Sequence, residues 1–157
     1  GLKSYQPLPH RLQPLGEKDG IKYYDDSIST ICETTIQALN TLKDVDTVLI
    51  GGMDRGIDYS ELINFLSGHK VPHIILMEAT GKRILEEILN GYPDFQDKDR
   101  LVLTDHLEDA VAKAKELTRP GHSCLMSPAA ASYGIFKNFE ERGEVFARLV
   151  SGSDKLM

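Results

Sequence analysis

Three stretches of this chain carry residue types suited to holding a ligand. The longest is Ser127-Pro-Ala-Ala-Ala-Ser-Tyr-Gly-Ile-Phe-Lys-Asn-Phe-Glu-Glu-Arg-Gly-Glu-Val-Phe146. It joins an apolar run, His122 to Met126, to a helical pattern that extends to about Val150. Small residues let another group come close to the backbone. A helix N-terminus just beyond supplies free N–H donors and a positive dipole end. Two readings stand: an anion-holding joint, or a tight strand-to-helix turn.

The second stretch is Gly51-Gly-Met-Asp-Arg-Gly56. Its glycines allow close backbone approach, and Arg55 can fork onto a carboxylate or phosphate. A flexible turn with a solvated arginine is the alternative. The spacing fits neither a Walker A loop nor G-x-G-x-x-G. The third stretch is Tyr24-Asp-Asp-Ser-Ile-Ser-Thr30. Asp25 and Asp26 suit Mg²⁺ or a ribose, or serve as helix-start partners.

Other candidates carry less. Thr80-Gly81-Lys82-Arg83 lacks the upstream glycine of a nucleotide loop. His10, His69, His73, His106 and His122 are scattered without zinc-type spacing, so no metal site is expected. No G-x-S-x-G elbow occurs, and Ser27, Ser29 and Ser132 have no sequence-visible base. Lys137, Glu140, Glu141 and Arg142 read as a solvated helix face. No complete catalytic set is present in this chain.

The elements that must position these stretches alternate in type. Leu12 to Glu17 and Ile21 to Asp25 read as a hairpin around Lys18-Asp19-Gly20. Thr30 and Glu33 suggest a capping box, followed by a helix with Ile36, Leu39 and Leu42 on one face. Asp46 to Ile50 is a strand, and a helix begins near Asp58. His73 to Met77 is a strand, then Gly81 to Leu89 a helix with Gly91 as its C′ residue. Arg100 to Leu103, Leu107 to Leu117 and His122 to Met126 continue the alternation, with a stop at Arg119-Pro-Gly121. This is an α/β pattern with a mainly parallel sheet and an N-terminal antiparallel hairpin. Ligands of such sheets lie beyond the carboxyl ends of the strands.

Composition bounds the partners. The chain has 157 residues, a net charge of −6, 41% hydrophobic and 27% charged residues. One domain is the simplest organisation. No basic stripe favours nucleic acid. No apolar run reaches membrane-span length. Cys32 and Cys124, without metal-type spacing, fit a reduced cytoplasmic setting.

Taken together, Leu8-Pro-His-Arg11, Tyr24 to Thr30, Gly51-Gly-Met-Asp-Arg-Gly-Ile-Asp58 and Ser127 to Gly143 resemble, in this order, motifs of the Mur ligases. The last motif is similar to the glutamate-adding MurD branch. The resemblance covers residues 7 to 150 and matches only the carboxy-terminal third of such an enzyme. It implies a Rossmann-like three-layer domain, mainly parallel, over residues 11–151. An incoming linker, 1–10, and a tail, 152–157, would flank it.

The resemblance also implies an activity: ATP-dependent addition of D-glutamate to UDP-MurNAc-L-Ala in peptidoglycan synthesis. The N-terminal domain of such an enzyme would hold the UDP sugar and the central domain would hold most of ATP and Mg²⁺, and both of those domains are expected to lie outside this chain. By motif, Arg11 and Asp26 correspond to nucleotide-binding positions. Thr30, Arg55, Ser132, Tyr133 and Phe139 correspond to glutamate-binding positions, Tyr133 and Phe139 partly through backbone groups. Arg55 stands where the family commonly has lysine. Ile28 and Ile31 replace a family lysine and asparagine. The Ser-Ile-Ser-Thr form is also similar to ligases that add L-glutamate. A free-standing module for an acidic metabolite, or a purely structural interaction domain, are the competing readings.

Overall fold

The computed structural model describes residues 10–152. The expected linker apart from His10, the tail apart from Gly152, and Leu8-Pro9 of the first motif lie outside the described residues. Six strands and five helices follow one another as β1 (Gln13–Lys18), β2 (Ile21–Asp25), α1 (Cys32–Thr41), β3 (Val45–Gly51), α2 (Ser60–Gly68), β4 (His73–Met77), α3 (Glu78–Gly91), β5 (Leu101–Thr104), α4 (Leu107–Leu117), β6 (Ser123–Met126) and α5 (Phe139–Ser151). A 3-10 turn, Lys98–Arg100, leads into β5.

The strands form one sheet in the order β1-β2-β6-β3-β4-β5. Only β1 is antiparallel, paired with β2 across the expected hairpin. The other neighbours run parallel. Period-two alternation sends successive side chains to opposite faces. Val48, Ile50, Ile74, Leu76 and Leu125 face one layer, packed with Leu39, Leu62, Ile63, Ile84 and Ile88 of α1, α2 and α3. Leu49, Ile75, Met77, Cys124 and Met126 face the other, packed with Leu107, Val111, Phe146 and Val150 of α4 and α5. Both faces of β3 and β6 are covered, so every residue of both strands is buried. Each such fully buried aliphatic side chain contributes about 2 kcal/mol.

That layering creates the crevice. β3 and β6 are neighbours, yet β3 feeds α2 on one face and β6 feeds α5 on the opposite face. Their outgoing loops diverge, which is the geometry of a topological switch point.

Two local expectations are corrected. The Thr30–Glu33 capping box does not form: Ile31 is the N-cap of α1 and makes no side-chain cap bond. Gly91 lies inside α3 without a left-handed backbone, and Tyr92 closes the helix. Thr80 to Arg83 is interior to α3, and Gly81 lets that helix sit directly on the Leu76 backbone.

Candidate functional site

The loops after β2, β3 and β6 meet at the carboxyl end of the sheet. Backbone bonds carry the pairing past the strand ends. Gly51 N donates to Pro128 O at 2.9 Å, and Met53 N donates to Ala131 O at 2.9 Å. Glycine is required for this approach. A Cβ at Gly52 would stand 2.6 Å from Ala131 O and 3.1 Å from Arg142 Nη1. At Gly51, φ is 134° and a Cβ would strike the Met77 carbonyl.

The small-residue stretch is held under strain. Ala129 has φ 55°, a left-handed conformation that costs a non-glycine residue about 1 kcal/mol. Two bonds fix it: its N–H donates to Ser29 O at 2.9 Å, and its carbonyl accepts from Tyr59 Oη at 2.7 Å. Ser132 is buried and its carbonyl accepts from Phe136 N. Tyr133 and Ile135 beyond it are exposed.

The N-terminus of α5 caps itself. Asn138 Oδ1 accepts from Glu141 N at 2.9 Å, and Glu141 Oε1 accepts from Lys137 N at 2.9 Å. Phe139 O accepts from Ser27 Oγ at 2.6 Å, tying this helix start to the loop after β2. On the other side of that loop, Arg55 Nη2 donates to Thr30 O at 3.3 Å. Thr30, Arg55 and the 129–132 turn are therefore joined through direct contacts between their loops. Tyr133 shares the Ser132 loop, and Phe139 joins through Ser27.

Asp25 and Asp26 face inward. Asp25 Oδ2 lies 2.6 Å from His10 Nδ1, and its Oδ1 accepts from Ser27 N at 2.9 Å. Asp26 accepts from Leu12 N at 3.0 Å, Ser127 Oγ at 2.7 Å and Ser29 Oγ. Burial pushes the Asp26 carboxyl up, and the bonds from Ser29, Ser127 and Leu12 oppose that push. Arg11, next to Leu12, is exposed on a groove of about 530 Å³ with Ile28, Ser29 and Gln37. Asp26 lines the base of that groove. Among the described residues, no group of three or more His, Cys, Asp or Glu side chains converges to hold a metal ion.

Arg142 is the main correction to the sequence reading. It is not on a solvated face but 1% exposed. Its Nε donates to Ser27 Oγ at 2.9 Å and its Nη2 to Ser27 O at 2.7 Å. Nη1 faces Gly52 and has no hydrogen-bond partner among the described residues. Burial lowers its pKa to about 10, and the nearby charges of Glu78 and Asp25 resist that shift. Glu78, at φ 60° where β4 turns into α3, has its carboxyl pushed up by burial, against the pull of Arg142 and His106. A signal was present: Phe139, Arg142, Gly143, Phe146 and Val150 share one stripe at helical spacing. Arg83, which holds the Gly51–Asp58 loop through Asp54 and Ile57, and Tyr59, which holds the Ala129 carbonyl, were not marked for these roles by any sequence motif.

No family model matches the chain. Curated relatives do. A UDP-N-acetylmuramoylalanine–D-glutamate ligase of Thermoanaerobacter sp. (strain X514) is 36% identical over 151 residues, 96% of this chain and 32% of the relative. The ligase of the same description from Chlamydia caviae is 35% identical over 155 residues, 99% of this chain and 35% of the relative. The chain thus spans about a third of the length of the relatives it matches. Among solved structures, MurF ligase from Thermotoga maritima in complex with ADP aligns with a TM-score of 0.55 at 18% identity. That alignment covers 95% of this chain and 33% of the neighbour. The murein peptide ligase Mpl from Psychrobacter arcticus aligns with a TM-score of 0.61 at 14% identity, over 94% and 31%. These structures share the fold. Sequence and fold agree: the chain matches the carboxy-terminal part of MurD-type Mur ligases and shares the fold of that part.

Proposed function

We propose that this chain is the glutamate-presenting domain of an ATP-dependent amide ligase that adds D-glutamate to UDP-MurNAc-L-Ala. The carrying observation is the joining of Thr30, Arg55 and the 129–132 turn at the switch point between β3 and β6. Arg55 supplies a fixed positive charge for one glutamate carboxylate. Ser132, the backbone around Tyr133 and Phe139, and Thr30 supply polar groups around the other end. The names of the curated relatives support D-glutamate as the isomer.

ATP supplies the phosphoryl group that activates the acceptor carboxylate, and its P-loop and Mg²⁺ ligands belong to domains outside this chain. Arg11 is the one nucleotide candidate here with a free approach to solvent. Asp26 is proposed to act indirectly, by fixing Leu12 and so the direction of Arg11. Its three donors leave it poorly suited to meet a phosphate or a metal. No helix among the described residues is long and apolar enough to cross a membrane, and both cysteines are free and buried. A cytoplasmic setting fits both facts.

Backbone-amide NMR of the chain, titrated with D-glutamate, L-glutamate and MgATP separately, tests the reading. Saturable shifts at Thr30, Arg55 and Ala129–Tyr133 with D-glutamate are expected. The affinity should be weak, because domain closure would complete the site. Shifts with L-glutamate alone would transfer the assignment to the other isomer. No shift with either would overturn the glutamate reading.

A further inference from the structure

The turn at Ala129 follows β6 and the loop carrying Arg55 follows β3, yet one pair of side chains outside the proposed contact set grips both. Arg83, on α3, donates from Nη1 to Asp54 Oδ1 at 2.8 Å and from Nη2 to Ile57 O. Asp54 in turn accepts from Gly56 N at 2.9 Å. The loop on either side of Arg55 is thereby pinned. Glu87 accepts from Arg83 Nε at 2.8 Å and fixes the guanidinium in its own helix. The same guanidinium lies 5.1 Å over the ring of Tyr59. Tyr59 is 1% exposed, and its hydroxyl holds the carbonyl of the left-handed Ala129.

We propose that Tyr59 and Arg83 are positioning residues for the acidic substrate, a latch that sets the distance between the Arg55 guanidinium and the Ser132 turn. This rests on the glutamate reading of the site. Neither residue contacts substrate. Arg83 clamps one wall through Asp54 and Ile57, and Tyr59 clamps the other through Ala129. The cation over the ring connects the clamps. A dicarboxylate must reach both walls at once, so an error in their separation weakens binding. A ligand that touches one wall tolerates it.

The test is the NMR titration of the whole chain with D-glutamate, in unsubstituted form and as Tyr59→Phe, Arg83→Met and Arg83→Lys. Tyr59→Phe and Arg83→Met are expected to weaken D-glutamate binding about tenfold, the scale of one lost buried hydrogen bond. Arg83→Met should also shift the Ala129–Ser132 amides before any ligand is added, although Arg83 does not touch them. Arg83→Lys, which keeps the charge on Asp54 and over the ring, should restore most of both effects. A general loss of stability would not be rescued in that pattern. Equal affinities in all four proteins overturn the latch. An unsubstituted chain that ignores D-glutamate overturns the site reading, and the latch with it.

Discussion

Arg142 and Ser27 lie 115 residues apart in sequence and share two hydrogen bonds, Nε to Oγ at 2.9 Å and Nη2 to the carbonyl at 2.7 Å. Ser27 passes the connection on to the Phe139 carbonyl at 2.6 Å. The start of α5 and the loop after β2 are thus one unit around a buried cation. Arg142→Met removes both bonds and strands the Ser27 carbonyl. A loss of about 2 kcal/mol in urea unfolding is expected. Combined with Ser27→Ala in a double-mutant cycle, the pair should couple by at least about 0.5 kcal/mol. Additive losses would mean the contact carries no shared energy.

The three loop glycines should rank in order. Gly51→Ala meets both a strained φ of 134° and the Met77 carbonyl. Gly52→Ala meets Ala131 O, which forces open the Met53–Ala131 bond. Gly56, at φ 74°, has open space for a Cβ. Chemical denaturation should show Gly51→Ala as the most damaging, Gly52→Ala intermediate, and Gly56→Ala costing about 1 kcal/mol from backbone conformation alone.

Asp26 gives a pH prediction with a definite sign. Its carboxyl is raised in the folded state, chiefly by burial. Its contribution to stability is fully present below the ordinary carboxylate value of 3.8 and is lost as pH rises through the raised folded value. Asp26→Asn removes that loss. The stability of Asp26→Asn relative to the unsubstituted chain should rise with pH across this window, as followed by urea unfolding at a series of pH values. A flat difference would contradict the assignment. Asp46 has the opposite sign. Burial favours its neutral form, but the bonds and charge of Arg119 outweigh that and leave its pKa lowered. Its contribution is lost as pH falls.

Much of this was legible in the sequence because periodicity reports burial. His73–Met77 and Leu107–Leu117 were readable residue for residue, since an unbroken apolar run and a clear helical stripe each have one low-energy placement. The hairpin was readable from Asp19-Gly20. Helix starts were less legible, because caps depend on loop geometry. Thr30 offers a cap in sequence, but the chain enters α1 one residue later, with Ile31 at the N-cap position. The inward turn of Arg142 and Asp26 was hidden for a related reason. Their partners, Ser27 and Ser127, come from loops distant in sequence, and charged residues on a helix or before one ordinarily face water. The candidate glutamate positions were found through the resemblance to the Mur ligases. Residue spacing alone found only loops able to hold an anion.

Ile28 and Ile31, like Arg55, depart from the motif expected from the resemblance, and Ile28 lies in the groove beside Arg11. Ile28 lines that groove with Arg11 and Ser29. Ile28→Lys adds a second cation there. Triphosphate binding to the chain, measured by calorimetry at low salt, should strengthen by about threefold to tenfold and weaken again at high salt. No change would place the phosphates elsewhere.

The most direct test of the glutamate-presenting role is a chimera. This chain replaces the matching third of the Thermoanaerobacter ligase, and ATP hydrolysis is followed with UDP-MurNAc-L-Ala present. The expected result is turnover that depends on D-glutamate and whose KM for glutamate, not for ATP, rises in Arg55→Met. A chimera folded by circular dichroism that turns over ATP no faster with glutamate than without would contradict the account.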